Sequence, residues 1–148
     1  MNPFPSLLSL APADLDRIRA AAVAAYPAEC CGLLAGEVTA EGELRVTRVV
    51  PAHNLLAMTR RDRFEIDPVA RLALMRHLRG GAERLIGHYH SHPDRPAYPS
   101  STDLAMAFEP DLIWVIVAVN NGWAGMTRAY RLAGTVIHGV PLLTRDTP

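Results

Sequence analysis

The stretch GHYHSHPDRPAYPSSTD, residues 87–103, carries three of the chain's six histidines at alternate positions, His88, His90 and His92. On an extended strand, alternate residues share a face and stand roughly 6.5 to 7 Å apart, near enough for two imidazoles to converge on one ion. A third ligand must come from elsewhere. Asp103 is the candidate, because PDRPAYP, stiffened by three prolines, leads back into a helix start whose first turn carries it. Two imidazoles and a carboxylate, with water in the fourth position, are the donor set expected of catalytic zinc; structural sites use four protein ligands, usually with cysteines among them. Such an ion brings the pKa of its water toward neutrality. Each part also has a plainer role. SSTD is a helix start in which Ser100 caps free amides and the dipole favours Asp103, and alternate histidines can form a polar face or bond to backbone.

The elements that must position these residues alternate quickly, with no internal repeat or low-complexity tract. Pro12 opens a helix over residues 12–25, with Leu15, Ile18, Ala22 and Ala25 at helical spacing and Pro27 ending the run. CCGLLAGEV and ELRVTRVVPAHN read as strands joined by the turn-like TAEG. IDPVARLALMRHLRGG has Asp67 as N-cap, Pro68 in the first turn, apolar residues at 69, 72, 75 and 78, and a glycine pair after the last turn. RLIGHYH is a strand, with Leu85, Gly87, Tyr89 and Ser91 on one face and Ile86, His88, His90 and His92 on the other. SSTDLAMAF starts a third helix, LIWVIVAV is a buried central strand, and WAGMTRAYRL and TVIHGVPLL are further strands. Strands interleaved with three helices predict an α/β fold, one sheet covered by helices rather than a bundle or a sandwich.

Bulk properties exclude several classes. A chain of 148 residues predicts one domain, residues 1–148, burying roughly 68 to 70% of its unfolded surface. Apolar residues make up 49% and charged residues 20%, the balance of a folded soluble domain. The 15 basic residues, all arginine, cancel 15 acidic ones, and no basic stretch interleaved with aromatics offers a track for nucleic acid. MNPFPSLLSLAPADL lacks a basic segment and a sustained apolar run, so it does not read as a secretory signal. LIWVIVAV is far short of the roughly 20 residues a bilayer needs. Cys30 and Cys31, adjacent and the only cysteines, read as small buried hydrophobes in a reducing compartment. The expectation is a cytoplasmic protein with neither nucleic-acid nor membrane partners.

Taken together, His90, His92, Ser100 and Asp103 spell HxH, seven residues, then SxxD. This resembles the JAMM, or MPN-plus, metalloprotease motif, a far-upstream glutamate followed by HSH, seven residues, S, two residues, D. YPAECCGLLAG resembles that family's glutamate-bearing N-terminal segment, and NLLAMTRRDRFEIDP looks like its prokaryotic branch, so the resemblance runs from about Tyr26 to near Leu132. It implies a JAB/MPN domain, a curved mixed β-sheet flanked by helices with a cytidine-deaminase-like architecture. It further implies one Zn2+ per chain on His90, His92 and Asp103, with Glu29 as general base toward the zinc water. Ser100 would cap its helix and stabilise the oxyanion. Spacing alone does not choose Glu29, since Asp94 lies nearer the histidines; Asp94 reads as a solvated turn residue. His88 departs from the family, where an aromatic is common, and is expected to line the cleft or pack as a flat ring. His53, His77 and His138 have no partner pattern, and Glu65 and Asp67 read as structural.

The activity this resemblance implies is hydrolysis of the bond after the C-terminal Gly-Gly of a ubiquitin-like or sulfur-carrier protein. Contact with the carrier's body is expected from NLLAMTRRD, residues 54–62, through Leu55, Leu56, Met58 and arginines that suit an acidic partner. Two other classes compete. A non-catalytic MPN-type scaffold would not need all five expected residues, which are present; the other is a small-molecule zinc amidohydrolase or deaminase, and a deaminase would need HxE or CxE with a later PCxxC, whereas the chain has no CxxC. Neither an oligomeric state nor an activating partner is legible in the residues.

Overall fold

The computed structural model describes residues 5–146. In chain order the elements are β1 (Leu8–Leu10), α1 (Pro12–Ala25), β2 (Cys31–Val38), β3 (Leu44–Ala52), α2 (Pro68–Leu78), β4 (Arg84–Pro93), α3 (Ser101–Ala105), β5 (Ile113–Asn120), β6 (Trp123–Ala133), β7 (Val136–Val140) and β8 (Leu142–Thr144). The strands form one mixed sheet in the order β7-β6-β5-β4-β2-β3-β1-β8. The α/β architecture expected of the sequence is therefore the one the chain adopts. TVIHGVPLL, however, is two strands rather than one. Pro141 has no N–H for a ladder, and its carbonyl accepts from Leu8 N at 2.8 Å, so the chain changes partner there. β7 pairs with β6 at one end of the sheet and β8 with β1 at the other. Curvature strong enough to bring those ends together leaves only Pro141 between them. β1, three buried residues, was too short to show any periodicity.

β5 is buried on both faces, as its continuous apolar run requires. Val115, Val117 and Val119 join Ile18 and Ala22 of α1, while Trp114, Ile116 and Ala118 pack with Tyr130 and Leu132 on the other side. The signals at both ends of α2 work as read: Asp67 accepts from Val69 N at 3.0 Å, and Gly80 takes φ +82° just past the last turn. Its buried row differs from expectation. Leu74 and Leu78 face the sheet with Ala70 beside them, leaving Val69, Leu72 and Met75 exposed. The sheet meets the i, i+4 row of the helix instead of the i, i+3 row, and each buried leucine contributes roughly 1.5 to 3 kcal/mol.

A second correction concerns β4. Its register with β2 shifts between Leu34 and Ala35, which turns Ile86 to the α1 side with Tyr89 and sends Leu85 toward Leu74 and Leu78. Strict alternation holds only past that irregularity, where His88, His90 and His92 share the face away from α1. Gly87 lies at the bend because β5 passes very close: a Cβ there would meet the Ile113 carbonyl oxygen at 2.3 Å, whereas at Gly139 of β7 it would meet nothing within 4 Å. Gly87→Ala should destabilise the protein by about 1 to 3 kcal/mol, and Gly139→Ala by far less. Urea unfolding of the pair checks this; equal midpoints would mean that β5 yields without cost.

Candidate active site

β4 sits mid-sheet, antiparallel to β2 and parallel to β5, with His90 opposite Cys31 and Ile116 and His92 opposite Ala118. Ladder pairing fixes the backbone of His90 on both sides and that of His92 on the β5 side, and both side chains are fully buried. Their Nε2 atoms stand 3.1 Å apart. Asp103, from the first turn of α3, spans them: Oδ1 is 3.2 Å from His90 Nε2 and Oδ2 is 3.0 Å from His92 Nε2. The aspartate cannot turn away, because it belongs to a reciprocal cap in which Asp103 N donates to Ser100 Oγ at 3.0 Å and Ser100 N donates to Asp103 Oδ2 at 2.9 Å. α3 itself lasts only five residues, shorter than SSTDLAMAF suggested.

The donor set fits a cation on its own chemistry. His92 Nδ1 lies 2.8 Å from the Pro96 carbonyl oxygen, which only accepts, so Nδ1 carries the proton. In the neutral ring Nε2 is then a lone pair, and it faces a carboxylate oxygen at 3.0 Å. Two acceptors pressed together out of water repel; a cation among them turns the repulsion into ligation. Burial opposes ionisation of Asp103, while the Ser100 amide, donating to Oδ2, favours the charged carboxylate. Burial pushes the His90 pKa down, keeping that ring neutral and able to ligate.

Glu29 lies just ahead of β2 and is 1% exposed. Its Oε1 is 4.0 Å from His90 Nε2 and has no hydrogen-bond partner among the described residues, while its Oε2 accepts from Arg95 Nη2 at 2.7 Å. Glu29, His90 and His92 place one ligand atom each within 4.8 Å of one another, so they form a group that could hold a metal ion. Asp103 stands closer to both rings than Glu29 does. Loss of water raises the Glu29 pKa to about 7, against the pull of Arg95 and His92, with Asp103 adding to the rise.

Three residues that spacing did not single out shape this site. Asn54 anchors the Glu29 backbone: its Nδ2 donates to Glu29 O at 2.9 Å, and its Oδ1 accepts from Leu56 N and Glu65 N at 3.0 Å each. Phe64 stacks on His90, centroids 4.4 Å apart. Arg95 follows Asp94, whose backbone is left-handed at φ +54° and whose carboxylate accepts from Tyr26 Oη at 2.6 Å and Asn121 N at 2.9 Å. Asp94 is thus the exposed turn residue expected, but one that ties the loop to the β5–β6 hairpin. Ser91, between the two histidines, accepts from Cys30 N at 2.8 Å and so holds the start of β2 against β4. A polar side chain at the base of a loop, and an aromatic 26 residues before its ring partner, carry no periodic signal.

His88 packs edge-on to Trp114, 4.3 Å between centroids, and 6.5 Å from His90. Burial and the neighbouring His90 push its pKa down to about 3. It is the flat ring lining a cleft of about 370 Å³ walled by Phe64, Ile66, Met106, Phe108 and Trp114. A second cleft opens on the far side, beside Glu29, between Pro27, Ala28, Pro93, Arg95 and residues 57–62. Within residues 54–62, Met58 is 97% exposed and Leu55 half exposed, but Leu56 is partly buried. The buried cysteines, their thiols raised to about 11 and about 12 by burial, are not reactive groups.

Residues 12–133 match the family model described as prokaryotic homologs of the JAB domain. A desampylase from Haloferax volcanii is 35% identical over 115 residues, covering 75% of this chain and 80% of that protein. A CysO-cysteine peptidase from Mycobacterium tuberculosis is 32% identical over 121 residues, covering 79% and 77%. The solution structure of a Desulfitobacterium hafniense protein superposes with a TM-score of 0.82 at 26% identity, over 95% of this chain and 94% of that one.

Asn54→Ala would strip three backbone groups of their partner at once. Each lost bond costs about 0.5 to 1.5 kcal/mol, and the amides of Leu56 and Glu65 should exchange hydrogen faster than in the unaltered protein. Protection left unchanged at both amides would remove Asn54 from its anchoring role.

Proposed function

The chain belongs to the family of prokaryotic homologs of the JAB domain, and on that premise we propose that it is a zinc metallopeptidase cutting after the C-terminal Gly-Gly of a ubiquitin-like or sulfur-carrier protein. The observation that carries the reading is the buried meeting of His90, His92 and Asp103 beside a glutamate with one oxygen free of partners among the described residues. The relatives named desampylase and CysO-cysteine peptidase support the substrate class.

His90, His92 and Asp103 would hold the zinc, which when bound would polarise the scissile carbonyl and lower the pKa of a water. The chain's own residues supply the rest. Glu29 takes a proton from the attacking water on Oε1 while Arg95 keeps Oε2 engaged and the carboxylate in one orientation. As the water oxygen bonds to the glycine carbonyl carbon, the C–N bond breaks, its electron pair stays on nitrogen, and Glu29 returns the proton there. Ser100 Oγ accepts from Asp103 N, which leaves its O–H to donate to the developing oxyanion. The amine side of the bond therefore lies toward Glu29 and Arg95, and the Gly-Gly side toward the cleft of Phe64, His88 and Trp114. Glycines suit that approach because they bring backbone without side chains. A non-catalytic scaffold gains nothing from the cost of burying these groups.

Purified without chelator, the protein should carry about one zinc per chain, and alanine at His90, His92 or Asp103 should empty it while His88→Ala keeps it. Elemental analysis decides; a metal-free His88→Ala beside a loaded His92→Ala would shift the ligand register. Glu29→Gln should keep its zinc and lose nearly all hydrolysis, whereas loss of zinc would make Glu29 a ligand. Ser100→Ala should cost about 1 kcal/mol of stability and roughly 2.7 to 4 kcal/mol of transition-state stabilisation; unaltered turnover would reduce Ser100 to a cap. Mass spectrometry of a ubiquitin-fold carrier extended beyond Gly-Gly should show a cut after the second glycine, slowed sharply when that glycine is alanine. A cut elsewhere would remove this substrate class.

A further inference from the structure

We propose that Asp94 is a positioning residue for the general base: its carboxylate holds both ends of the Arg95–Glu29 contact, and with them the direction in which Glu29 presents Oε1. The proposal rests on the peptidase reading above and adds to it a residue that touches neither the ligand residues nor Glu29 itself. The contacts close a ring. Arg95 Nη2 donates to Glu29 Oε2 at 2.7 Å. Arg95 follows Asp94 in the chain, and Asp94 Oδ2 accepts from Tyr26 Oη at 2.6 Å. Tyr26 is the C-cap of α1 and stands three residues before Glu29. One carboxylate is therefore tied both to the segment that carries Glu29 and to the residue that grips it.

Two further bonds fix where that carboxylate sits. Its Oδ1 accepts from Asn121 N at 2.9 Å, and Asp94 N donates to the Val119 carbonyl at 2.6 Å. The backbone of Asp94 is left-handed at φ +54°, a conformation that strains most residues with a side chain and that Asp and Asn accept through local hydrogen bonds. Pro96 on the other side confines Arg95 to extended backbone. Without this frame the Arg95 side chain would have little to hold it, for it is long and 32% exposed, and its backbone N–H reaches the His92 carbonyl only at 3.5 Å. The last torsion of a glutamate is broad and roughly two-fold, so the grip on Oε2 is what keeps Oε1 toward His90. Asp94 itself is exposed, where such bonds add little to stability. Its convergent bonding and left-handed backbone serve placement more than they serve the fold.

The test follows cleavage of a ubiquitin-fold carrier extended beyond Gly-Gly by two variants. Asp94→Asn suits a left-handed backbone but keeps one acceptor oxygen of two, and Tyr26→Phe removes a single hydroxyl. In Asp94→Asn, zinc content and circular dichroism should be unchanged and KM should stay within about twofold, while kcat falls roughly 10- to 100-fold, the scale of a misplaced catalytic group. Tyr26→Phe should show the same split between kcat and KM to a smaller degree, and it decides alone if Asp94→Asn does not fold. Added to Arg95→Gln, Asp94→Asn should lower kcat no further, because Asp94 acts through Arg95. Unaltered kcat in the folded variants, or losses that simply multiply in the double variant, overturn the proposal. Crystal structures of the unaltered protein and both variants read the same role without turnover: the Arg95–Glu29 contact should be present in the first and broken in the others. If the unaltered protein cuts no carrier, only the peptidase reading falls, and the contact decides. Its loss in the variants upholds placement of Arg95 by Asp94; a contact intact in them, or missing from the unaltered protein, overturns it.

Discussion

Acceptors brought face to face out of water are the constraint to which the rest of this structure answers. His92, its proton committed to the Pro96 carbonyl, directs a lone pair at a carboxylate 3.0 Å away, with the second imidazole nitrogen 3.1 Å off. Such a cluster persists only where the backbone cannot give. β4 is laddered on both sides, Asp103 is bound into a reciprocal cap, and Tyr130 Oη donates to the carbonyl of Ala97, which steadies the loop between them. The order of strands puts the histidines at the middle of the sheet, where they are least able to relax. This rigidity keeps together side chains that could hold a cation.

Glu29 is coupled to the cluster by asymmetry. Burial raises its pKa to about 7, and Arg95 opposes that rise while occupying one of its two oxygens. The remaining oxygen, 4.0 Å from His90 Nε2, has no hydrogen-bond partner among the described residues. Polarity also differs across the centre: aromatic walls lie on the His88 side and guanidiniums on the Glu29 side.

Signals that act locally along the chain are legible in the sequence, and those that depend on distant partners are not. Pro12, Asp67 and Gly80 mark helix ends through their own backbone chemistry, and they were legible. Alternate histidines and SxxD lie within 17 residues, so both the strand period and the cap could be read, and those residues do come together. Glu29 was legible only by resemblance, because its distance to the histidines is set by pairing of β2 with β4 and leaves no local pattern. Arg95, Asn54 and Phe64 act through contacts that only the folded loops create. Ile86 and the buried row of α2 were misassigned because a register shift and the angle of a helix on a sheet are properties of the partner element, not of the segment itself. The division of TVIHGVPLL at Pro141 has the same origin: the proline was visible, but the curvature that sends its two sides to opposite ends of the sheet was not.

The central claim is a centre of two imidazoles and oxygen donors, with the third histidine and both cysteines outside it. X-ray absorption at the zinc edge of the loaded protein tests this most directly. The account predicts nitrogen and oxygen scatterers at about 2.0 to 2.2 Å with outer-shell features of two imidazoles. A third imidazole, or a sulfur scatterer at about 2.3 Å, would contradict it.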